Sequence, residues 1–164
     1  MEGEGEIMEK PILFNTGMVQ AILEGRKTST RRIIKIPENF SYLMDEETSN
    51  GEMLISVESD LCPQCYKYIY APYQPGDILY VRETWFKDIE RYVYRANYFE
   101  TEKFYRNGNE VKIKWHPSIH MPKSAARIFL RVTDVRVERV QDITEDGARA
   151  EGWVIEFERV KKEG

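Results

Sequence analysis

The sequence predicts a mainly β fold of the α+β class, a small barrel or half-open barrel with two or three short helices. Three observations predict it. Short segments that alternate apolar and polar residues recur along the chain, turn residues separate them, and helical signals are confined to segments that begin at Thr16 and Thr144. Closing such a set of short strands hides their edges, whereas a doubly wound sheet would need many more helices.

Length and composition predict one domain. The chain has 164 residues, with 41% apolar and 32% charged side chains, which is a globular mixture large enough for a single core. Residues 1–10 are acidic and glycine-rich with little to bury, so they are expected to form a flexible tail. Residues 11–164 are expected to form the domain.

The first elements are a strand, a helix, a second strand and a loop. Ile12 to Phe14 is predicted as a strand, and Thr16 is predicted to cap a helix that stops at Gly25. The β-branched residues between Thr30 and Ile36 favour a strand. The polar, turn-rich segment from Pro37 to Gly51 is predicted to be a mobile loop.

The middle of the chain contains a hairpin and the strongest strand. Two alternating segments, 53–57 and 66–70, are joined through a Cys62–Cys65 turn. A Pro-Gly-Asp turn then precedes a strand from Ile78 to Phe86. Alternation places Glu83 on an otherwise apolar face of this strand, which is costly unless the carboxylate is paired or functional.

Three further strands and a helix complete the prediction. Tyr92 to Tyr98 and Val111 to Trp115 are expected strands, with the hairpin signal Asn107-Gly108 between them. Ala126 to Val140 is expected to be a long strand. Thr144 is predicted to cap a short helix that runs to Gly152.

Charge and cysteine content limit the possible partners and location. The net charge is −4, so nucleic acid must bind to a local basic patch, and tight binding to long duplex DNA is not expected. No apolar run approaches the roughly 20 residues of a membrane span. With two cysteines, the chain is expected to be reduced and cytosolic.

A dense basic cluster follows the first predicted helix. Gly25 to Arg32 contains four cations and three hydroxyl groups, a set suited to phosphates or polar base edges. The alternative is an ordinary solvated turn.

This cluster also contains a motif. The pattern Gly-x-Lys-x-x-Thr-x-Arg, formed by Gly25, Lys27, Thr30 and Arg32, resembles the signature of the ASCH family. Three later blocks, at 75–85, 119–128 and 132–152, strengthen the resemblance. The block 119–128 is similar in particular to ASCH proteins of phages and prophages. The family's likeness to the PUA domain implies a PUA-like small β-barrel, and binding of a nucleoside or single-stranded RNA.

The resemblance implies a possible activity as well. Some ASCH proteins are small amidohydrolases that remove the acetyl group from N(4)-acetylcytidine with a lysine, a threonine and a glutamate, which correspond to Lys27, Thr30 and Glu83. Lys27 would activate Thr30 as nucleophile, and Glu83 would pass a proton to the leaving amine, without a cofactor. A non-catalytic RNA- or nucleotide-binding module and a ribonuclease are the alternatives.

Five further residues are candidates for substrate binding: Arg32, Trp85, Tyr94, His120 and Arg127. The arginines can hold a phosphate, or instead pair with surface acids such as Asp134 and Glu138. The aromatic rings can stack on a base, or instead belong to the core.

A zinc site is the remaining possibility. Cys62, Cys65, His116 and His120 have acceptable spacing within each pair, but the two pairs are much farther apart than in a zinc finger. An unliganded turn is the favoured interpretation, and no metal is expected.

Overall fold

The computed structural model describes residues 8–89, 91–98, 103–140 and 150–161. The predicted mainly β fold is confirmed, with 49% strand and 12% helix. One five-stranded and three smaller sheets form, but no closed barrel is found among the described strands. Within the same ranges, no helix has the length and apolarity needed to span a membrane.

The elements follow one another with short connections. The strands, in chain order, are β1 (Glu9–Leu13), β2 (Ser29–Ile33), β3 (Phe40–Glu47), β4 (Met53–Ser59), β5 (Tyr66–Tyr70), β6 (Ile78–Arg82), β7 (Trp85–Lys87), β8 (Tyr92–Tyr94), β9 (Phe104–Arg106), β10 (Asn109–Val111), β11 (Phe129–Val140) and β12 (Ala150–Val160). The helix α1 covers Thr16–Leu23, and three 3₁₀ helices cover Arg95–Asn97, Ser118–His120 and Lys123–Ala125.

The chain divides into two compact units that interleave along the sequence. The first unit contains Ser29–Asp77 and Arg131–Glu158, and the second contains Glu9–Thr28 and Ile78–Leu130. The single domain expected over 11–164 stays a prediction. Glu9 and Lys10, which were expected to belong to a flexible tail over 1–10, belong to β1, and residues 1–7 lie outside the described residues.

In the second unit, β6 pairs with β1, and the Val81 N–H of β6 donates to the carbonyl of Ile128. β1 and β6 run parallel, with Glu9 opposite Ile78 and Leu13 opposite Arg82. Buried apolar side chains of this unit lie on β1 and β6, on α1, and in the segments that follow β1 and precede β11, namely Ile12, Phe14, Val19, Ile22, Leu79, Val81 and Ile128.

Two turns of the second unit follow from local chemistry. The hairpin β9–β10 turns at Asn107 and Gly108, whose φ angles of 50° and 79° are those that an Asn-Gly hairpin turn requires. The helix α1 is capped one residue earlier than predicted, because the Asn15 side chain, and not Thr16, accepts a hydrogen bond from the Met18 N–H.

In the first unit, β12 lies between β11 and β2. β2 pairs antiparallel with β12, and Thr30 is opposite Ile155. A separate antiparallel sheet has the order β3-β4-β5. The predicted hairpin of 53–57 and 66–70 is confirmed as β4–β5.

Five element predictions are corrected. Two of them are the strands predicted over 92–98 and 111–115: β8 ends at Tyr94, and residues 112–115 are not in a strand. The segment 37–51 contains β3 and is not a continuous loop; its polar residues are compatible with an edge strand that pairs with β4. The predicted strand 78–86 ends at Arg82, so Glu83 follows the strand. Of the helix predicted from Thr144 to Gly152, residues 141–149 lie outside the described residues, and Ala150 to Gly152 belong to β12.

Candidate functional site

Glu83 is the most unusual side chain of the second unit. It comes directly after β6, where the apolar residues Leu79 and Val81 are fully buried, and is itself only 1% exposed. Its backbone N–H donates to the sulfur of Met121, 3.2 Å away. A carboxylate buried this deeply needs a partner for its charge.

Arg127 is that partner. Its Nη2 donates to Oε1 of Glu83 at 2.8 Å, and its Nε donates to Oε2 at 3.1 Å. Both carboxylate oxygens are therefore engaged by one planar guanidinium in the two-point geometry that arginine favours. The Arg127 side chain remains 23% exposed, so the pair is buried on its acidic side and reaches solvent on its basic side.

Two more residues hold the guanidinium in place. The ring of Tyr94 lies beneath it, 4.1 Å from the ring centre to the guanidinium carbon. A third N–H, on Nη1, donates to the side-chain oxygen of Asn97 at 3.0 Å. We call Glu83, Tyr94, Asn97 and Arg127 the Glu83 cluster.

Tyr94 is itself anchored by its hydroxyl group. The hydroxyl donates to the backbone carbonyl of Ala125, a residue that is 1% exposed. Burial raises the pKa of Tyr94 above its ordinary value of 10.0, while the positive charge of Arg127 acts in the opposite direction. Tyr94 is therefore a neutral hydrogen-bond donor across the physiological pH range.

Trp85 contributes a second aromatic group in the same unit. Its ring centre lies 4.8 Å from that of His116 and 6.0 Å from that of Tyr92. Trp85 and His116 also exchange backbone hydrogen bonds of 3.2 and 2.7 Å. The indole N–H is buried without a hydrogen-bond partner in the part of the chain that the structure describes.

The structure places the predicted catalytic residues as follows. Lys27 is half-buried after α1, with Nζ 5.7 Å from the centre of the Phe14 ring. Thr30 is 4% exposed on β2 of the first unit, whereas Lys27 and Glu83 belong to the second unit. Convergence of Lys27, Thr30 and Glu83 stays a prediction.

The two arginines predicted to bind substrate, Arg32 and Arg127, belong to different units. Arg32 lies on β2 opposite Trp153, and its positive charge acts on Tyr73, whose pKa is raised chiefly by burial. The acids Asp134 and Glu138 accept hydrogen bonds from Arg136. The ion-pair partner of Arg127 is instead Glu83, which belongs to the same unit.

The zinc candidates do not form a site. Cys62 and Cys65 are joined by a disulfide, contrary to the expected reduced thiols, and the described ranges contain no group of three or more His, Cys, Asp or Glu residues that could hold a metal ion. His116 packs on Trp85, and His120 is exposed in a 3₁₀ helix. No hydrogen bond or ion pair joins the His120 side chain to the Glu83 cluster among the described residues, although the neighbouring Met121 accepts from the Glu83 N–H.

Sequence reasoning selected Glu83, Tyr94 and Arg127 separately but missed their association. It also missed Asn97 and the Ala125 carbonyl. One available signal was the buried carboxylate itself, since an ionised group on an apolar face requires a cation close by. Asn97 carries no comparable signal, because an exposed asparagine after a strand is ordinary turn chemistry.

The second unit also contains a cavity of about 510 Å³ away from these residues. It is lined by Asp88, Ile89, Arg91, Tyr105, Arg106 and Asn107. A hydrogen bond from the backbone N–H of Ile89 lowers the pKa of Asp88 below its ordinary value, and the ion pair with Arg106 acts in the same direction. No member of the Glu83 cluster lines this cavity.

No protein-family model, curated protein or solved structure matches the chain. The ASCH resemblance stays a prediction that rests on the motifs quoted above.

Proposed function

We propose that the second unit binds a nucleobase, either of a free nucleoside or of single-stranded RNA, at the Glu83 cluster. The observation that carries this proposal is the guanidinium of Arg127, which is held by Glu83, supported by Tyr94 and still 23% exposed. Such a group is fixed before a ligand arrives, so little conformational entropy is lost on binding.

The donors of Arg127 suit the acceptors of a base. A guanidinium has five N–H donors, and three of those of Arg127 are used by Glu83 and Asn97. The other two have no hydrogen-bond partner among the described residues, and they match a carbonyl oxygen and a ring nitrogen, the acceptor pairs that bases present. Arginine binds bases in this two-point manner more often than any other side chain does.

The charge of the cluster favours a base over a phosphate. Glu83 compensates the charge of Arg127 at hydrogen-bonding distance, so the pair is neutral overall. A phosphate gains little from a neutral pair, whereas the polar edge of an uncharged base keeps its hydrogen bonds. Trp85 supplies an aromatic ring in the same unit, and stacking on such a ring tolerates any base.

Hydrolysis ranks second. Acyl-amide hydrolysis by Lys27, Thr30 and Glu83 remains the activity that the ASCH resemblance implies, and ribonuclease activity remains an alternative. Both oxygens of Glu83 accept hydrogen bonds from Arg127, which supports an anchoring role better than a proton-transfer role. Since nucleosides and RNA occur mainly inside cells, the proposal includes a cytosolic location, where cellular thiols would act to reduce the Cys62–Cys65 disulfide.

The test is isothermal titration calorimetry with four ligands: cytidine, N(4)-acetylcytidine, cytidine monophosphate and a short oligouridylate. We expect binding of the nucleosides with little dependence on salt, and we expect Arg127→Lys to weaken it about tenfold because lysine lacks the planar pair of donors. The matched control is Arg131→Lys, at an exposed arginine that pairs with Glu158.

Three results decide the outcome. Loss of affinity in Arg127→Lys but not in Arg131→Lys, with both proteins folded by circular dichroism, supports the proposal. Equal affinity in all three proteins, or no nucleoside binding at all, contradicts it. Chromatography of the same mixtures detects free cytidine, and its release from the acetylated compound would raise hydrolysis to the first rank.

A further inference from the structure

We propose that the sheet β3-β4-β5 of the first unit binds a basic, extended segment of a partner protein along β5. This inference is independent of the nucleobase proposal, because it uses none of the same residues. It rests on three observations that concern exposure, backbone hydrogen bonding and charge.

The first observation is a row of exposed tyrosines. Tyr66, Tyr68 and Tyr70 are 48%, 60% and 54% exposed. Because they alternate along β5, their side chains lie on one face of the sheet, with successive Cα atoms about 6.6 Å apart. We call these three residues the tyrosine edge. Large aromatic groups are seldom exposed in a regular row on a surface without a partner.

The second observation is that the same residues have open backbone groups. Within the described strands, β5 pairs only with β4. The Ser59 N–H donates to the Cys65 carbonyl and the Ala71 N–H donates to the Met53 carbonyl, which are hydrogen-bonded pairs at the two ends of the ladder. Since such pairs alternate in an antiparallel ladder, Lys67 and Ile69 bond to β4.

The backbone groups of the tyrosine edge therefore point away from β4. Their N–H and C=O groups have no partner in the part of the chain that the structure describes. An added strand would form hydrogen bonds with the same three residues whose side chains are exposed, and this is how extended peptides join the edge of a sheet.

The third observation is a concentration of negative charge. Residues 38–70 contain seven carboxylates and one lysine, a net charge of −6 against −4 for the whole chain. None of the seven is buried, and none forms an ion pair within the described ranges. The one lysine, Lys67, lies over the ring of Phe40, 4.5 Å from its centre, on the face opposite the tyrosine edge.

The strand register brings some of this charge to the tyrosines. Glu58 is directly opposite Tyr66, and Leu54 is opposite both Tyr70 and Glu46. Side chains of directly opposed residues share a face, so Glu58 and Glu46 lie on the face of the tyrosine edge. Carboxylates and tyrosine rings both attract cations, which indicates a partner rich in lysine or arginine.

The same charge disfavours two other occupants. A second copy of this chain would place two sheets of net charge −6 side by side, and like charges on adjacent strands are destabilising. Single-stranded nucleic acid stacks well on aromatic rings, but its phosphates are repelled here, because such sites require a positively charged groove. A basic peptide carries the opposite charge, so neither repulsion applies to it.

The experiment measures the fluorescence anisotropy of a labelled ten-residue peptide in which lysine and valine alternate. The comparison probes are the same peptide with glutamate in place of lysine, and a ten-nucleotide oligouridylate. We expect only the basic peptide to bind, with an affinity that falls at least tenfold between low and high salt.

Variants locate the binding to β5. Tyr68→Pro removes one outward N–H and is tolerated sterically on an edge strand, so it should weaken binding about tenfold. The double variant Tyr66→Ser, Tyr70→Ser keeps every backbone donor and provides a second measure if the proline variant fails to fold. The control is Tyr105→Ser, because Tyr105 is a 56% exposed tyrosine of the second unit and should leave binding unchanged.

Several results overturn the proposal. These are equal binding of the basic and acidic peptides, preferential binding of oligouridylate, or unchanged affinity in the tyrosine-edge variants. Reversible self-association in sedimentation, abolished by Tyr68→Pro, would assign the edge to a second copy instead.

Discussion

The Glu83 cluster and the sheet β3-β4-β5 use carboxylates in opposite ways. Glu83 is 1% exposed, and both of its oxygens accept hydrogen bonds from Arg127. The seven carboxylates of residues 38–70 are at least partly exposed and have no ion-pair partner among the described residues. Burial obliges a carboxylate to find its cation within the fold, whereas an exposed carboxylate remains available to a partner from outside.

The same difference predicts which measured quantity a mutation changes in each region. Removing one member of a buried ion pair leaves the other charge desolvated, so the Glu83 cluster should respond to mutation through the free energy of unfolding. Exposed charges contribute little to that free energy, so the sheet should respond through affinity for ligands. The following three variants test how strongly mutation in each region changes stability, in order of expected effect.

Arg127→Ala should have the largest effect. It leaves the Glu83 carboxylate buried without its cation, which lowers the free energy of unfolding by about 3–5 kcal/mol. Urea denaturation at neutral pH measures the change. The matched variant Arg131→Ala breaks the exposed pair with Glu158 and should cost less than about 1 kcal/mol. Similar values for the two arginines would show that the Glu83 pair is not buried in solution.

Tyr94→Phe should have an intermediate effect. It removes the hydroxyl that donates to the buried Ala125 carbonyl, and the unsatisfied acceptor should lower the free energy of unfolding by about 1–2 kcal/mol. The exposed Tyr105 provides a control, since Tyr105→Phe should change the same quantity by less than about 0.5 kcal/mol.

The Tyr94 variant should also alter the alkaline pH dependence. Burial raises the pKa of Tyr94 in the folded state above the ordinary 10.0, so the unfolded chain ionises first as the pH rises. The contribution of Tyr94 to stability should therefore be constant below about pH 10 and fall as the pH rises from there through the folded-state pKa. This fall should be shallower in Tyr94→Phe; an identical slope in both proteins would be evidence against a buried Tyr94 hydroxyl.

Gly51→Ala should have the smallest effect. Gly51 has a φ of 82° in the turn between β3 and β4, and an added Cβ would meet only the Glu47 side chain at an ordinary 3.8 Å. The backbone conformation alone should therefore cost about 1 kcal/mol. The same change at Gly17, within α1, should be neutral or stabilising, because alanine is the better helix former. Thermal unfolding of the two variants should show shifts of opposite sign or of clearly different size.

Local sequence patterns correctly predicted those elements in which the apolar alternation or the turn residues match the burial found in the structure. The hairpin β4–β5 and the turn at Asn107-Gly108 were predicted correctly, because alternation and turn chemistry act over a few residues. β3 was missed because an exposed edge strand needs no apolar alternation, so that its sequence resembles a loop. Gly152 was assigned to a helix but lies in β12, opposite Ile33 of β2.

In the candidate site, local sequence patterns identified single side chains but not the contacts between them. Glu83 and Arg127 were each singled out from the sequence, but their separation of 44 positions along the chain conceals their pairing. The fold alone places the Arg127 guanidinium over Tyr94 and beside Asn97. Contacts between residues so far apart depend on how the strands pack, and no local period encodes that packing.

The sequence by itself determined the mainly β class, most strand positions, the net charge of −6 over residues 38–70, and the anomaly of a carboxylate among apolar residues. Only the tertiary structure decided which cation neutralises that carboxylate and which strand edge remains open. The physical reason is that propensity, alternation and charge are properties of short segments, whereas burial and pairing depend on what other segments bring to the same place.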